Sequence, residues 1–192
     1  YDFTAAPRGN YLAFLGRISP EKRPDRAIAI ARRAGIPLKI AAKVDRADRA
    51  YFDRDIAPLL DDPLVEFVGE IGEDAKGDFM GNAKALLFPI DWPEPFGLVM
   101  IESIACGTPV IAWRCGSVPE VIDHGVSGFI VDDMEDAIAA ARNIDSLDRR
   151  ACRGTFERRF TSHRMAARYL EVYSALSAAR GTTDTPPKVL SR

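Results

Sequence analysis

Histidine and cysteine are scarce in this chain. Its 192 residues include two histidines, His124 and His163, and three cysteines, Cys106, Cys115 and Cys152. Two distant histidines are too few for a His-based zinc site. The cysteines form no CxxC pair and leave one over in any pairing, which favours a reducing compartment with thiols acting as small core residues. Long apolar runs are missing as well. None approaches the ~18 residues of a membrane-spanning helix, and no signal peptide is recognisable. Charge of one sign is also lacking: 26 basic against 28 acidic residues give a net charge of -2, so bulk charge makes no case for a nucleic-acid partner. Neither GxGxxG nor a Walker A loop follows the first apolar run. A phosphate bound here must therefore be gripped by side chains and by some other helix start. No internal repeat or low-complexity block is present. The chain begins at Tyr1 without a methionine and reads as a piece of a larger protein, although processing can also remove a start.

What is present alternates. Residues 1–10 read as a polar lead-in. Short apolar runs at 11–15, 37–42, 64–68, 85–89, 109–113 and 128–131 read as strands. Between them lie helical stretches at 23–35, 47–60 and 73–82, one beginning near Phe96, and a short one at 117–123. Helices at 133–144, 146–159 and 162–179 follow, and 181–192 reads as a tail. Pro24 suits a first helical turn and Gly35 a stop. Ser117 and Glu120 have the spacing of a capping box. The strands carry little polar alternation, so both faces of their sheet are covered. Six strands alternating with helices predict a single Rossmann-like α/β domain at 11–180, an open six-stranded parallel sheet with helices on both faces. Ligands of such sheets bind at the carboxyl ends of the strands.

The chemistry gathers there. "GRISPEK" (16–22) follows the first strand. Gly16 is expected to turn the backbone sharply. Arg17 and Lys22 then place two cations above the sheet, one able to hold a phosphate bidentately, the other a point charge. A solvated loop is the competing reading. "EPFGLVMIE" (94–102) puts Phe96, Gly97 and Leu98 at a helix start, where free N–H groups and the helix dipole favour an anion. Gly97 would let a ligand approach the backbone. Two glutamates, with seven residues between them, bracket that start. Glu102 lies roughly 7–9 Å inside the helix, where it could accept both hydroxyls of a ribose diol. Glu94 precedes the helix and could reach a sugar on the distal phosphate. A helix-surface charge or a structural pair remains open for Glu102, and a plain loop role for Glu94. Asp91 and Trp92 either shape a sugar pocket or serve a turn. Cys106 reads as a packing residue, and the histidines as loop and surface residues.

These stretches resemble the C-terminal, donor-binding domain of family 4 retaining glycosyltransferases of the GT-B fold. The resemblance rests on "FLGRISPEKRPDRAI", "VEFVGEIGEDAK" and "ALLFPIDWPEPFGLVMIESIACGTPVIAWRCGSVPEVIDHGVSGFIV", and spans most of 11–180. It implies that Gly16, Arg17 and Lys22 meet the donor diphosphate, Glu94 the donor sugar, Glu102 the ribose, and the backbone of Phe96, Gly97 and Leu98 both sugar and phosphate. Glu70 and Ile71 would lie near the base, with Lys43 and Val44 as further neighbours. One departure is "EKRPD", where family members often have a glycine after the lysine; Lys22 is expected to keep its role. An N-terminal acceptor domain is implied and absent here. Arg164 and Arg168, with Arg158 and Arg159 before them, would face that domain, anionic lipid or solvent.

The implied chemistry moves a sugar from a UDP-, GDP- or ADP-sugar to an unidentified acceptor sugar, lipid or small molecule, with retention. Arg17, Lys22 and Glu94 carry the catalytic roles. No cofactor and no metal are expected, two cations replacing a divalent ion. The isolated fragment is expected to be inactive. A cytoplasmic setting is expected, with peripheral contact at the inner membrane face left open. The alternatives are a GT-B epimerase or phosphorylase, and a non-catalytic α/β interaction domain.

Overall fold

The computed structural model describes residues 1–181, with side chains described to Ala178. Six strands, β1 (Leu12–Arg17), β2 (Leu38–Lys43), β3 (Val65–Gly69), β4 (Ala85–Phe88), β5 (Val110–Trp113) and β6 (Gly128–Val131), form one sheet ordered β3-β2-β1-β4-β5-β6. Every pairing is parallel. The open parallel α/β sheet expected from the sequence is thus present. Its inner strands are mostly buried and open to solvent at their carboxyl ends, at Gly16, Arg17 and Lys43, whereas β3, at the edge, alternates exposed Glu66 and Val68 with half-buried neighbours, as a one-sided strand must.

Helices α1 (Pro24–Ala34) and α6 (Met134–Arg142) cover one face. Leu12, Phe14, Ile40, Leu87 and Ile111 from the strands pack there with Ile28, Ala31 and Ala137. Burying one such branched side chain stabilises the fold by about 1.5–3 kcal/mol. Pro24 opens α1, and Gly35 closes it in the left-handed region at φ 72°. Asp133 caps α6 by accepting the Asp136 N–H at 2.9 Å. On the other face lie α3 (Glu73–Gly81) and α4 (Leu98–Ala105), whose Met80, Met100 and Ile104 are buried. The lead-in docks against this side: the Thr4 N–H donates to the Cys106 carbonyl, and the Arg149 guanidinium donates to the carbonyls of Thr4, Gly81 and Ala83.

Several local expectations need correction. Gly16 makes no turn: it sits within β1, paired to Ala42, and a Cβ added there would meet no atom within 4 Å. The stretch 47–60 is helical but not uniform. It runs from a 3-10 turn (Arg46–Asp48) into α2 (Arg49–Tyr51), a π-type turn (Phe52–Ile56) and another 3-10 turn (Ala57–Leu59), with Pro58 denying an N–H to a regular helix. The helix expected near Phe96 begins at Leu98. Ser117 does not form a capping box. Its hydroxyl is buried with no partner, and its N–H donates to the Glu94 carbonyl at 2.8 Å. The short helix α5 (Val118–Val121) starts after it, and α7 (Arg149–Arg159) starts later than expected, with Asp148 accepting the Arg150 N–H.

Tyr1–Glu157 form one compact unit and the described residues from Arg158 onward another. The second carries α8 (Ser162–Gly181), on which Met165, Tyr169, Val172 and Leu176 are exposed, as are Arg164 and Arg168. Residues 182–192, nearly all of the expected tail, lie outside the described residues. Among the described residues no helix is long and apolar enough to cross a membrane.

Candidate functional site

Strand order reverses between β1 and β4, and the carboxyl ends of these neighbours open a crevice. Two hollows occupy it. The first, about 260 Å³, is lined by Gly16, Arg17, Lys22, Phe88, Glu94 and Gly97, among others. The second, about 530 Å³, is lined by Lys43, Glu70, Ile71, Glu73, Lys76 and Glu102. Leu15, Gly16, Arg17, Leu98 and Val99 line both, so the hollows meet where β1 ends and α4 begins. Glu94 faces one and Glu102 the other.

Lys22 reaches this point because the chain leaving β1 folds into a 3-10 turn, Pro20–Lys22, closed by Lys22 N–H to Ser19 O and Arg23 N–H to Pro20 O. Its ammonium donates to Glu94 Oε2 at 2.5 Å and lies 5.2 Å from the Trp92 ring centre and 5.7 Å from that of Phe88. The Trp92 indole N–H donates to the same oxygen at 3.2 Å. The loop carrying Glu94 is held from below too. Cys115 Sγ donates to the Trp92 carbonyl at 3.0 Å. Gly116, at φ 56°, lies so close to Glu94 that a Cβ would come within 2.4 Å of its backbone, so only glycine fits.

Arg17 is placed differently. Half exposed, it makes an ion pair with Glu21 at 3.1 Å and lies 3.5 Å from Asp45 and 3.9 Å from Asp48. The Glu21 carboxyl is held below the usual range, first by a backbone hydrogen bond. Asp45 is lowered by Lys43, which donates to it. The two cations thus carry carboxylate partners of their own.

The start of α4 completes the junction. Gly97 takes the left-handed conformation at φ 72°, and its carbonyl accepts the Met100 N–H. Helix geometry leaves the Leu98 and Val99 N–H groups without an intrahelical acceptor. Glu102 stands one turn further along α4, half-buried. Lys76, ion-paired to Glu73, shares its hollow and is further held charged by Glu102. The Tyr1 hydroxyl donates to Glu73 at 3.4 Å. Burial, then the flanking Glu102 and Glu73, raise its pKa. A carboxylate inside a largely apolar helix is tolerated because it is only half-buried and lies beside the Lys76 ammonium and the Tyr1 hydroxyl.

Of the residues singled out from sequence, Gly16, Arg17, Lys22, Glu94, Gly97 and Leu98 converge on the first hollow, and Glu70, Ile71, Glu102 and Lys43 on the second. Phe96 and Val44 line neither, and the Phe96 ring is exposed. Sequence reasoning missed Lys76, Glu73 and Tyr1 beside Glu102. The Cys115–Ser117 grip had a faint signal, the "CGS" turn closing a strand.

Comparison with known proteins adds the following. The profile of "Glycosyl transferases group 1" matches residues 3–151. A GDP-mannose-dependent alpha-(1-6)-phosphatidylinositol dimannoside mannosyltransferase of Mycobacterium tuberculosis is 33% identical over 189 residues, covering 94% of this chain and 48% of its own. A D-inositol 3-phosphate glycosyltransferase of Saccharomonospora viridis is 32% identical, covering 89% and 44%. The chain therefore spans about half the length of the curated relatives it matches. Among solved structures, AviGT4, a glycosyltransferase involved in avilamycin A biosynthesis, superposes with a TM-score of 0.74 at 29% identity over 91% of this chain and 53% of that one. Anabaena Alr3699/HepE, solved with UDP and glucose, shares the fold with a TM-score of 0.73 at 20% identity, over 86% and 49%.

Proposed function

The chain belongs to the glycosyl transferases of group 1, and on that premise we propose that residues 11–180 are the donor-binding half of an enzyme that moves a sugar from a nucleotide diphosphate sugar to an acceptor with retention of configuration. The observation that carries this reading is the pair of hollows meeting at the β1 end and the α4 start, with one glutamate in each. A diphosphate seated at the junction puts the ribose beside Glu102 and the sugar beside Glu94. The acceptor site belongs to sequence outside this chain, so the fragment binds donor but turns over little or none.

As the glycosidic bond breaks, negative charge builds on the leaving diphosphate. Arg17, Lys22 and the α4 start stabilise it by preorganised electrostatics, with no call for a divalent metal. To do so Arg17 exchanges Asp45 and Asp48 for phosphate oxygens, and Lys22 bridges phosphate and Glu94. Glu94 Oε2 already accepts from Lys22 and Trp92, which makes this carboxylate a poor nucleophile and leaves Oε1 to accept a sugar hydroxyl. A front-face transfer, in which the leaving phosphate receives the acceptor proton, fits that arrangement better than a double displacement. The donor is a UDP-, GDP- or ADP-sugar.

Calorimetric titration of the chain with UDP, GDP and ADP tests the reading. One of them binds, and Glu102→Ala weakens it by about 1.5–3 kcal/mol through lost ribose hydrogen bonds. An affinity that ignores this substitution removes the ribose assignment.

A further inference from the structure

Arg23 is the one non-glycine residue at positive φ among the described residues, at φ 51° and ψ 53°. This left-handed conformation costs an L-residue free energy that glycine is spared, and such outliers persist where the surroundings over-determine them. The surroundings here are explicit. Arg23 Nε donates to Asp25 Oδ1 at 2.9 Å and its Nη2 to Asp25 Oδ2 at 2.7 Å, while Nη1 donates to Asp91 Oδ2 at 2.8 Å. Asp25 belongs to α1, whereas Asp91 lies on the loop after β4. Arg26, one helical turn on, donates to the same Asp91 oxygen at 3.2 Å and to the carbonyls of Pro89 and Ile90. The Asp91 N–H in turn donates to the Glu21 carbonyl at 2.9 Å. The Asp25 bonds fix Arg23 against α1, and the bonds to Asp91, Pro89 and Ile90 join the Lys22 turn and the first turn of α1 to the loop that carries Trp92 and Glu94. Several charges sharing one acid form a network, which holds where a lone exposed ion pair does not.

We propose that Arg23 is a positioning residue for sugar recognition. With Arg26 and Asp91 it latches the Glu94 loop to the Lys22 turn, so that Glu94 and Trp92 stand in place before the donor sugar arrives. The inference rests on the donor-site reading above, and it separates two parts of the cleft. The Lys22 turn is closed by its own backbone bonds to Ser19 and Pro20, whereas the Glu94 loop depends on the latch, so its loss lowers the contribution of the sugar to affinity and spares that of the nucleotide.

The test uses the whole chain and the variants Arg23→Gly, Asp91→Asn and the two combined. Arg23→Gly keeps or raises the melting temperature, because glycine takes the left-handed conformation freely. Amide hydrogen exchange at residues 90–92 and 94 accelerates about tenfold in Arg23→Gly and at least as much in Asp91→Asn, which also frees Arg26, and the double variant goes no further than Asp91→Asn. In calorimetry, affinities for UDP and GDP stay within about twofold of wild type. The extra affinity of UDP-glucose over UDP, or of GDP-mannose over GDP, falls at least fivefold for whichever pair binds. Unchanged exchange at 90–92 and 94 overturns the latch. An unchanged sugar increment, or a parallel loss for nucleotide and nucleotide sugar, overturns its role in sugar recognition. A wild-type chain that binds none of the four probes overturns the donor-site reading and the sugar role with it, while hydrogen exchange still reports whether Arg23 holds the loop.

Discussion

Glu94 and Glu102 flank the same helix start, yet the protein treats them differently. Glu94 sits on a loop and is the more constrained of the two. Lys22 and Trp92 bind one oxygen, Cys115 and Ser117 hold the backbone, and Gly116 packs directly beneath. Glu102 sits on a regular helix, but the hollow it faces is wider and lined by mixed charges, the exposed Lys43, Glu70 and Glu73 and the half-buried Lys76. The rigid element thus carries the adaptable site, and the irregular loop carries the preorganised one. A site that must place one reacting carbon needs its hydroxyl ligands fixed beforehand. A site that anchors a nucleotide can exchange ion pairs for ligand contacts as it binds.

The largest effect that would break this contrast is expected at Lys22, the residue joining the two sides. Lys22→Met removes the cation proposed to meet the diphosphate and leaves Glu94 without its ammonium partner. Nucleotide affinity is expected to fall by about 3 kcal/mol, roughly a hundredfold, in calorimetry against the best-binding nucleotide. A loss under threefold would mean that Lys22 only serves Glu94. Gly16 offers a cleaner test, because no protein atom lies where its Cβ would go. Gly16→Ala should leave the melting temperature within a degree or two. Binding should weaken about tenfold if a ligand passes over β1 there. Unchanged binding would move the diphosphate off this junction. The smallest effect concerns the cysteines. Burial pushes the Cys106 and Cys152 thiols up to about 11, so at pH 8 both stay protonated and unreactive. Iodoacetamide is expected to label the half-buried Cys115 first, as read by peptide mass, and to lower affinity for nucleotide sugar slightly more than for nucleotide.

Much of this was legible beforehand, for physical reasons. Inner parallel strands are covered on both faces, so their apolar runs stand out, and Pro24 and Gly35 mark the ends of α1 as their backbone chemistry requires. Reading Gly16 as a turn failed because glycine serves empty space as well as sharp bends, and composition does not separate the two. Ser117 and Glu120 had capping-box spacing, but the Ser117 N–H was already taken by the Glu94 carbonyl, across 23 residues of chain. The Glu94 surroundings share that difficulty. Lys22 meets it across 72 residues, and Arg23 meets Asp91 across 68. Which carboxylate each cation finds is decided by strand order, and one sequence does not display that. The Glu102 neighbours Lys76 and Tyr1 were hidden in the same way.

One titration series tests the central claim most directly: nucleotide and nucleotide sugar, UDP with UDP-glucose and GDP with GDP-mannose, against wild type, Glu94→Ala and Glu102→Ala. The account predicts a crossed pattern. Glu102→Ala weakens nucleotide and nucleotide sugar alike, whereas Glu94→Ala leaves the nucleotide bound as tightly as before, or more tightly with Lys22 released, and removes the added affinity of the sugar. Parallel losses in both variants, or no loss in either, would contradict a diphosphate lying between two divided carboxylates.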